Sequence, residues 1–509
     1  MADYQGFFDS IRLGKEYFTK TLRNLDPFYT TSEKDPKESS NQTYSCSKPK
    51  FRPIVRIISH YDADGLASAG ILAQALLRER IPFQMTILKQ LEEENLLSII
   101  KSLPKYSNDF IIFSDFGTGQ YNIVRQHVTM PYLILDHHSP EDPNLKVSES
   151  FHINPHFYGI DGTYEVSGAG VSYLFVKALN PNNTDLSVLA LVGATGDIQT
   201  KGPNGEFVGL NLEIQKDAVA NKDIEIEKDL NIDRNKFLPA ALAYTLRVGE
   251  EIPGISKNVK LCQEFIKSQG IRLMTDLNES RTLSMLTTHE KQKLNSALLK
   301  HMFVDLHLSN DLMKSLFISY YKLKSTVYSE FISDTREFSS FLNACGRMEQ
   351  PSIAIGIILG DRGCFEIGKG ILESYKGLLS QGIKYAKENK QDGKNIVFIN
   401  GKDVINEKII GTITTILIYD REASIEKPIV SYAESDGETY KISLRCTDEM
   451  VNKGIDLSQA LRNTMKVLEI PEGSGGHKPA AGAKIPRAKI TLFLDQIDIE
   501  IGKQLSNIL

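Results

Sequence analysis

Three short apolar runs early in the chain, Ile54–Ile58, Phe110–Phe113 and Tyr132–Leu135, give way at once to acidic or histidine-bearing clusters. Runs of that length, rich in β-branched and aromatic residues, read as buried strands of a parallel sheet. The clusters that follow are His60-Tyr61-Asp62-Ala63-Asp64-Gly65, then Asp115, then Asp136-His137-His138. In open α/β sheets the groups that handle ligands project from loops at the carboxyl ends of the strands, so all three clusters fall along one edge. Leu66 to Arg80 has apolar residues at helical spacing and much Ala and Leu, which gives the order strand, ligand-bearing loop, helix. A fourth carboxylate, Asp197, ends Gly193-Ala-Thr-Gly-Asp197. The stretch Leu186 to Thr195 before it reads as a helix, so Asp197 would close the site from the side.

Each cluster has an ordinary structural alternative. A lone Asp at a strand end serves as a turn former or helix cap, because its side chain bonds nearby amides, and paired histidines fit a solvated turn. Four loops of the same chemistry at one sheet edge favour a site instead. Oxygen and imidazole ligands suit a hard divalent ion such as Mn²⁺ or Mg²⁺ better than a thiolate-bound zinc.

Read in order, His60-Tyr-Asp-Ala-Asp-Gly65, Ser114-Asp-Phe-Gly117, Leu135-Asp-His-His-Ser139 and Gly196-Asp-Ile-Gln199 resemble motifs I to IV of the DHH phosphoesterases. Further on, Glu337 to Arg347 (with Asn343 and Gly346) and Ser443-Leu-Arg445 resemble the archaeal RecJ-like exonucleases, the GINS-associated nuclease among them. Gly473-Ser-Gly-Gly-His477 resembles the glycine-rich motif of the DHH-associated domain, with Ser474 where the family writes glycine. No stretch is left over for the additional OB-fold module of bacterial RecJ, which leaves the polarity of digestion open.

The resemblance implies roles. His60, Asp62, Asp64, Asp115, His137 and Asp197 would hold two divalent ions, with Asp115 as the bridge. His138 would stand beside the scissile phosphate, and Asp136 would orient an imidazole from behind. Two ions roughly 3.5–4 Å apart lower the pKa of a water and neutralise developing oxyanions. Mixed carboxylate and imidazole ligands tilt the preference from Mg²⁺ toward Mn²⁺. Arg347, Arg445, Gly475, Gly476 and His477 are the candidates for holding substrate. Four glycines between Gly473 and Gly482 would let amides approach a phosphate closely, as in an anion nest. A plain surface turn is the competing reading of that loop, an ordinary salt bridge that of Arg445, and a tie between domains that of Arg347.

Length and composition bound these readings. At 509 residues the chain exceeds a single core and implies two or three domains. A net charge of −5 excludes a polycationic surface, so nucleic-acid binding would be local and weakened by salt. Cys46, Cys262, Cys345, Cys364 and Cys446 form no Cys-x-x-Cys pair, which argues for a reducing cytoplasm and against a zinc module. No apolar stretch is long enough to span a membrane, and the N-terminus has no signal-peptide pattern.

The expected organisation is an N-terminal helix and tether over residues 1–50 and a parallel-sheet DHH phosphoesterase domain over 51–258. A helical connector over 259–325 and a smaller α/β DHH-associated domain over 326–509 would follow, with an active-site cleft between the two α/β domains. Tyr4 to Leu25 has helical spacing, and Thr31 to Lys50 is rich in Ser, Lys, Pro and Asn. Ile353–Leu359 reads as a strand, Ile367–Lys387 as a helix and Ile396–Ile399 as a strand. Phe338, Phe341 and Leu342 take core positions on a helix, and the tail beyond Ile490 reads as a strand followed by a short helix.

Three functions fit. The first is a cytoplasmic, metal-dependent exonuclease of single-stranded DNA or RNA in archaeal replication or repair. The second is a phosphodiesterase of short oligonucleotides or cyclic dinucleotides. The third is a replisome scaffold that binds GINS, against which the complete ligand set argues.

Overall fold

The computed structural model describes residues 2–25, 53–104, 108–140, 151–246, 251–308, 316–324, 326, 328, 330–420, 425–435, 437–470 and 475–506. Thr31 to Lys50, Cys46, Gly473, Ser474 and the side chain of His477 lie outside the described residues.

In chain order the first elements are α1 (Tyr4–Leu25), β1 (Val55–His60), α2 (Ala63–Arg78), β2 (Phe83–Leu88), α3 (Glu93–Ser102) and β3 (Phe110–Ser114). They continue with α4 (Tyr121–His127), β4 (Tyr132–Leu135), β5 (His152–Ile153), α5 (Gly168–Leu179), α6 (Ser187–Gly196), α7 (Gly209–Ala220), β6 (Ile224–Leu230) and β7 (Phe317–Leu323). The chain divides into two compact units. One comprises Met1–Asp233, Leu246–Glu251 and Thr287–Leu372, the other Arg234–Thr245, Ile252–Leu286 and Glu373–Leu509.

The first unit is built on a five-stranded sheet of order β2-β1-β3-β4-β5, parallel throughout. The inner strands β3 and β4 lack the polar alternation of a half-exposed sheet because both faces are covered. Ile58, Ile111, Phe113 and Ile134 pack with Leu96 of α3 and with Tyr121 and Val124 of α4. Side chains of opposite parity meet the other layer, where α2 and α5 lie against the sheet. There Phe18 of α1 meets Phe110 of β3 and Phe175 of α5 edge to face, at 5.0 Å and 5.7 Å between ring centroids. The N-terminal helix is thus part of this unit's core. The helix Thr335–Arg347 packs on α2 and α6, with Phe338, Phe341 and Leu342 buried as their spacing predicts.

Strand order reverses between β1 and β3, and ligands of open α/β sheets bind beside such a switch. The strand ladder carries on into the ligand-bearing loops, since the Asp115 amide donates to Leu135 at 2.9 Å and the Asp136 amide to Ile153 at 3.2 Å.

The second unit contains a six-stranded mixed sheet of order β12-β13-β11-β10-β9-β8. These strands are β8 (Gln391–Asp392), β9 (Val397–Asn400), β10 (Ile429–Glu434), β11 (Thr439–Arg445), β12 (Gly475–His477) and β13 (Ala480–Pro486). The glycine-rich stretch expected as an open loop enters a β-hairpin, in which Gly475 pairs with Gly482 and Gly476 with Ala481. Gly476 has φ 144°, and a Cβ on it would lie 2.3 Å from the Ala480 carbonyl, so close backbone approach requires glycine there.

Two expectations are corrected. Ile353–Leu359 lies in a helix, Pro351–Ile358, not a strand. A continuous apolar run is compatible with either, and here Pro351 sets the first turn while Ile358 packs over Gly70 of α2. The tail is one helix, Ile490–Ser506, with no strand, because buried Phe493, Ile497, Glu500 and Ile501 fall on one helical stripe. Among the described residues no helix is long and apolar enough to cross a membrane.

Candidate metal centre

At the end of β1 the chain turns directly into α2, with Asp62 as N-cap. Asp62 Oδ1 accepts from the Gly65 amide at 3.1 Å, while Oδ2 lies 3.0 Å from His60 Nδ1. One carboxylate therefore caps a helix and also offers an oxygen to the site. Asp64, fully buried in the first turn of α2, accepts from the Gly168 and Ala169 amides at 2.7 Å and 3.0 Å. Those amides belong to the first turn of α5, whose dipole favours a negative charge.

Asp115 stands one residue past β3 with a left-handed backbone, φ 62°. Such a conformation costs on the order of 1–3 kcal/mol and persists where its surroundings fix it. Gly168 is one of those surroundings, since a Cβ there would lie 2.6 Å from Asp115 Oδ1. The two Asp115 oxygens face different ways: Oδ2 lies 3.5 Å from His60 Nδ1, and Oδ1 3.3 Å from His137 Nε2.

His137 Nδ1 donates to the Gly162 carbonyl at 2.7 Å, which leaves Nε2 for the carboxylates. Besides Asp115, that nitrogen is 3.6 Å from Asp64 Oδ2 and 3.3 Å from Asp197 Oδ2. Asp136 is oriented differently. Its Oδ1 accepts from the His137 amide (2.8 Å), the His138 amide (3.1 Å) and His138 Nδ1 (2.8 Å), and its Oδ2 from the Thr118 amide (2.8 Å). With both oxygens engaged by the loop, Asp136 holds the half-exposed His138 ring.

The ligand atoms form three overlapping sets, within each of which they lie within 4.8 Å of one another: His60–Asp62–Asp115, Asp64–His137–Asp197 and Asp115–His137–His138. Crowding perturbs their protonation. Burial, then Asp115, pushes the Asp64 carboxyl up to about 7, and burial followed by Asp64 holds Asp197 well above the ordinary range. For His137, burial disfavours the imidazolium, but Asp115, Asp197 and Asp64 outweigh it and hold the ring well above 6.5. Burial is likewise outweighed at His60 by Asp62 and Asp115, which raise it, while His60 keeps Asp62 well below the usual carboxylate range.

Asp115 Oδ1 and His137 Nε2 are buried without a hydrogen-bond partner. Neither atom makes a well-formed hydrogen bond although carboxylate oxygens and an imidazole nitrogen converge there, and this oxygen-rich, thiolate-free donor set fits Mn²⁺ or Mg²⁺.

Arg347 belongs to the same unit. It ends the helix Thr335–Arg347, donates from Nη1 to the Tyr61 hydroxyl at 2.9 Å and lies 5.2 Å from the Tyr61 ring centre. Asn343 of that helix accepts from the Ala63 amide at 3.0 Å, and Gly346 admits the Tyr61 carbonyl where a Cβ would lie 1.8 Å away. In the second unit Arg445 ends β11 and donates from Nε to Thr415 Oγ1 at 2.9 Å. Gly475, Gly476 and His477 form β12 of its hairpin.

Sequence reasoning missed the groups behind the ligands. Thr118 Oγ1 pairs with His152 Nε2 at 3.0 Å and accepts from Asn154 Nδ2 at 2.9 Å, and Asn154 Nδ2 also donates to the His138 carbonyl at 2.9 Å. Asn154-Pro155, a cap followed by proline, was the available signal.

The sequence matches the DHH family, N-terminal domain over residues 54–194, the DHH-CID domain over 234–316 and the DHHA1 domain over 393–503. An uncharacterized protein of Methanocaldococcus jannaschii is 32% identical over 454 residues, covering 89% of this chain and 94% of that protein. The chain belongs to the DHH family. Its fold is similar to that of CDC45 from Entamoeba histolytica (TM-score 0.60, 12% identity, 88% of this chain and 95% of that one). It is also similar to RecJ from Thermus thermophilus in complex with Mn²⁺ (TM-score 0.56, 14% identity, 97% of this chain). This chain spans 55% of the length of that RecJ.

Proposed function

We propose that this protein is a metal-dependent exonuclease that hydrolyses phosphodiester bonds of single-stranded DNA or RNA, with Mn²⁺ as the better activator. The observation that carries the reading is the convergence of three carboxylates, Asp64, Asp115 and Asp197, on the buried His137 Nε2 at 3.3–3.6 Å.

His60, Asp62 and Asp115 would hold one ion, and Asp64, His137 and Asp197 a second, with Asp115 turned toward both sets. When bound, divalent ions supply the positive charge that lowers the pKa of water and offsets charge developing on phosphate oxygens. His138 acts beside them. Its Nδ1 is fixed by Asp136, whose charge outweighs burial and favours the imidazolium, so Nε2 can donate to the phosphate. Arg347 provides fixed positive charge near Asp62. Arg445 and the β12–β13 hairpin of the second unit provide the grip on the backbone in this reading.

The test is digestion of single strands of DNA and of RNA, each end-labelled at one terminus or the other, with Mn²⁺ and with chelator. A ladder of shortened products that disappears with chelator is expected, and the label position reports direction. Cleavage of dinucleotides alone would replace the exonuclease reading with a short-substrate phosphodiesterase. No cleavage of any phosphodiester in Mn²⁺ would refute both. Association with GINS is a separate proposal resting on the sequence motifs, tested by co-purification at moderate salt.

A further inference from the structure

Asp197 closes α6, and the next two residues invert the usual placement of apolar and polar side chains. Ile198 is 56% exposed, whereas Gln199 is fully buried. The turn between them has a left-handed Ile198, φ 58°, which a β-branched residue adopts rarely. Hydrogen bonds from the Ile198 amide to Thr195 at 3.1 Å and from the Gln199 amide to Ala194 at 2.9 Å hold it.

The buried amide is fully engaged. Gln199 Nε2 donates to the Gly162 carbonyl at 2.9 Å and lies 3.4 Å from the Val166 carbonyl. Its Oε1 accepts from Asn211 Nδ2 at 2.7 Å. Two carbonyls facing one end of the amide and a donor facing the other fix which atom is nitrogen. Asn211 is itself buried, and its backbone N–H donates to the Glu165 carbonyl at 2.8 Å.

The Gly162 carbonyl is also the acceptor for His137 Nδ1. We propose that Gln199 is a positioning residue for two metal ligands at once, setting the His137 ring through the shared Gly162 carbonyl and Asp197 through the turn between them. A carbonyl has two acceptor directions. With Gln199 on one, the other is aimed at Nδ1, and the His137 ring is held with Nε2 toward Asp197 at 3.3 Å. Without Gln199 the loop bearing Gly162 loses its tie to the Asp197 turn, and the two ligands that oppose each other are no longer in register.

This inference rests on the metal reading of the site, so its test measures metal uptake rather than turnover. Full-length Gln199→Leu, similar in volume to the native side chain but without its hydrogen-bonding groups, is titrated with Mn²⁺ by calorimetry and by the free-ion electron paramagnetic resonance signal. The expected result is affinity about 10–100-fold weaker than wild type, the range for lost support behind a ligand, with the chelated protein still unfolding in one cooperative transition, at a lower melting temperature because buried Asn211 loses its partner. Gln199→Met serves if the leucine variant does not fold. Equal Mn²⁺ affinity in variant and wild type would overturn the proposal, as would loss of binding accompanied by unfolding in both variants. Wild-type protein that takes up no Mn²⁺ would instead refute the metal site itself.

Discussion

Loading the site with Mn²⁺ should release protons, and affinity should climb steeply with pH through neutrality. The argument begins with Asp64, whose carboxyl is pushed up to about 7 by burial and by Asp115. A carboxyl with that value is about 90% protonated at about pH 6, and a metal that needs the ionised form then binds about tenfold more weakly, ~1.4 kcal/mol. Asp197 is held well above its ordinary range by burial and by Asp64. His137 is held well above 6.5, and its Nε2 must shed a proton before it can ligate. All three shifts act in one direction: the metal-free folded site retains protons around neutrality that the loaded site cannot keep, so raising the pH favours loading. Asp62 and Asp136 are depressed, already ionised in this window and silent. The expected outcome is net proton release on loading near pH 6.5, with affinity rising by up to about tenfold per pH unit below about 7 from Asp64 alone and more steeply as the other raised groups, Asp197, His137 and His60, shed theirs. Isothermal titration of chelated protein with Mn²⁺, in buffers of different ionisation enthalpy, counts those protons directly. Binding without proton release, or with affinity flat between about pH 6 and about pH 7.5, would refute the reasoning.

Asp115→Asn keeps a residue type that tolerates left-handed backbone but removes the charge shared by two ligand sets, so turnover on labelled single strands should fall by about 10³-fold or more with the far-ultraviolet circular dichroism unchanged. Arg347→Ala removes the bond to Tyr61 and the charge near Asp62; steady-state assays should show KM rising about tenfold, ~1.4 kcal/mol, while Mn²⁺ affinity by calorimetry stays near wild type. Phe18→Ala empties a fully buried position against Phe110 and Phe175; it should cost about 3–5 kcal/mol in the first unit's chemical unfolding, and a change under 1 kcal/mol would mean that α1 does not belong to the core.

What was legible in the sequence was whatever has a side-chain signature. The runs ending at Ile58, Phe113 and Leu135 are apolar without alternation, which a two-sided buried sheet demands, and the carboxylates and imidazoles follow where the strands stop. Asp62 shows why a ligand and a cap need not be alternatives, because its two oxygens do both. The illegible part was of two kinds. Apolar runs with no clear period, such as Ile353–Leu359 and the stretch after Ile490, are settled by packing partners far away in sequence, among them Gly70 for Ile358. The supports of the site, in turn, are backbone groups. The Gly162 carbonyl under His137 and the Gly168 and Ala169 amides on Asp64 carry no residue identity that a pattern could detect.

The strand order explains why Asp115 in particular is shared. With β1 and β3 adjacent and their crossovers leading to opposite faces, the loops after them diverge and leave a crevice between. His60 and Asp62 line it from the β1 side, while His137 arrives from β4 on the far side of β3. Among the described residues, the end of β3 is the position on this edge with a strand carrying ligands on each side, and a carboxylate has two oxygens that can face both. The left-handed backbone of Asp115 and the bare Gly168 beside it are local costs of that geometry. A side chain at residue 168 should therefore disturb both ligand sets together, whereas changes at Asp62 or Asp197 should disturb one set directly.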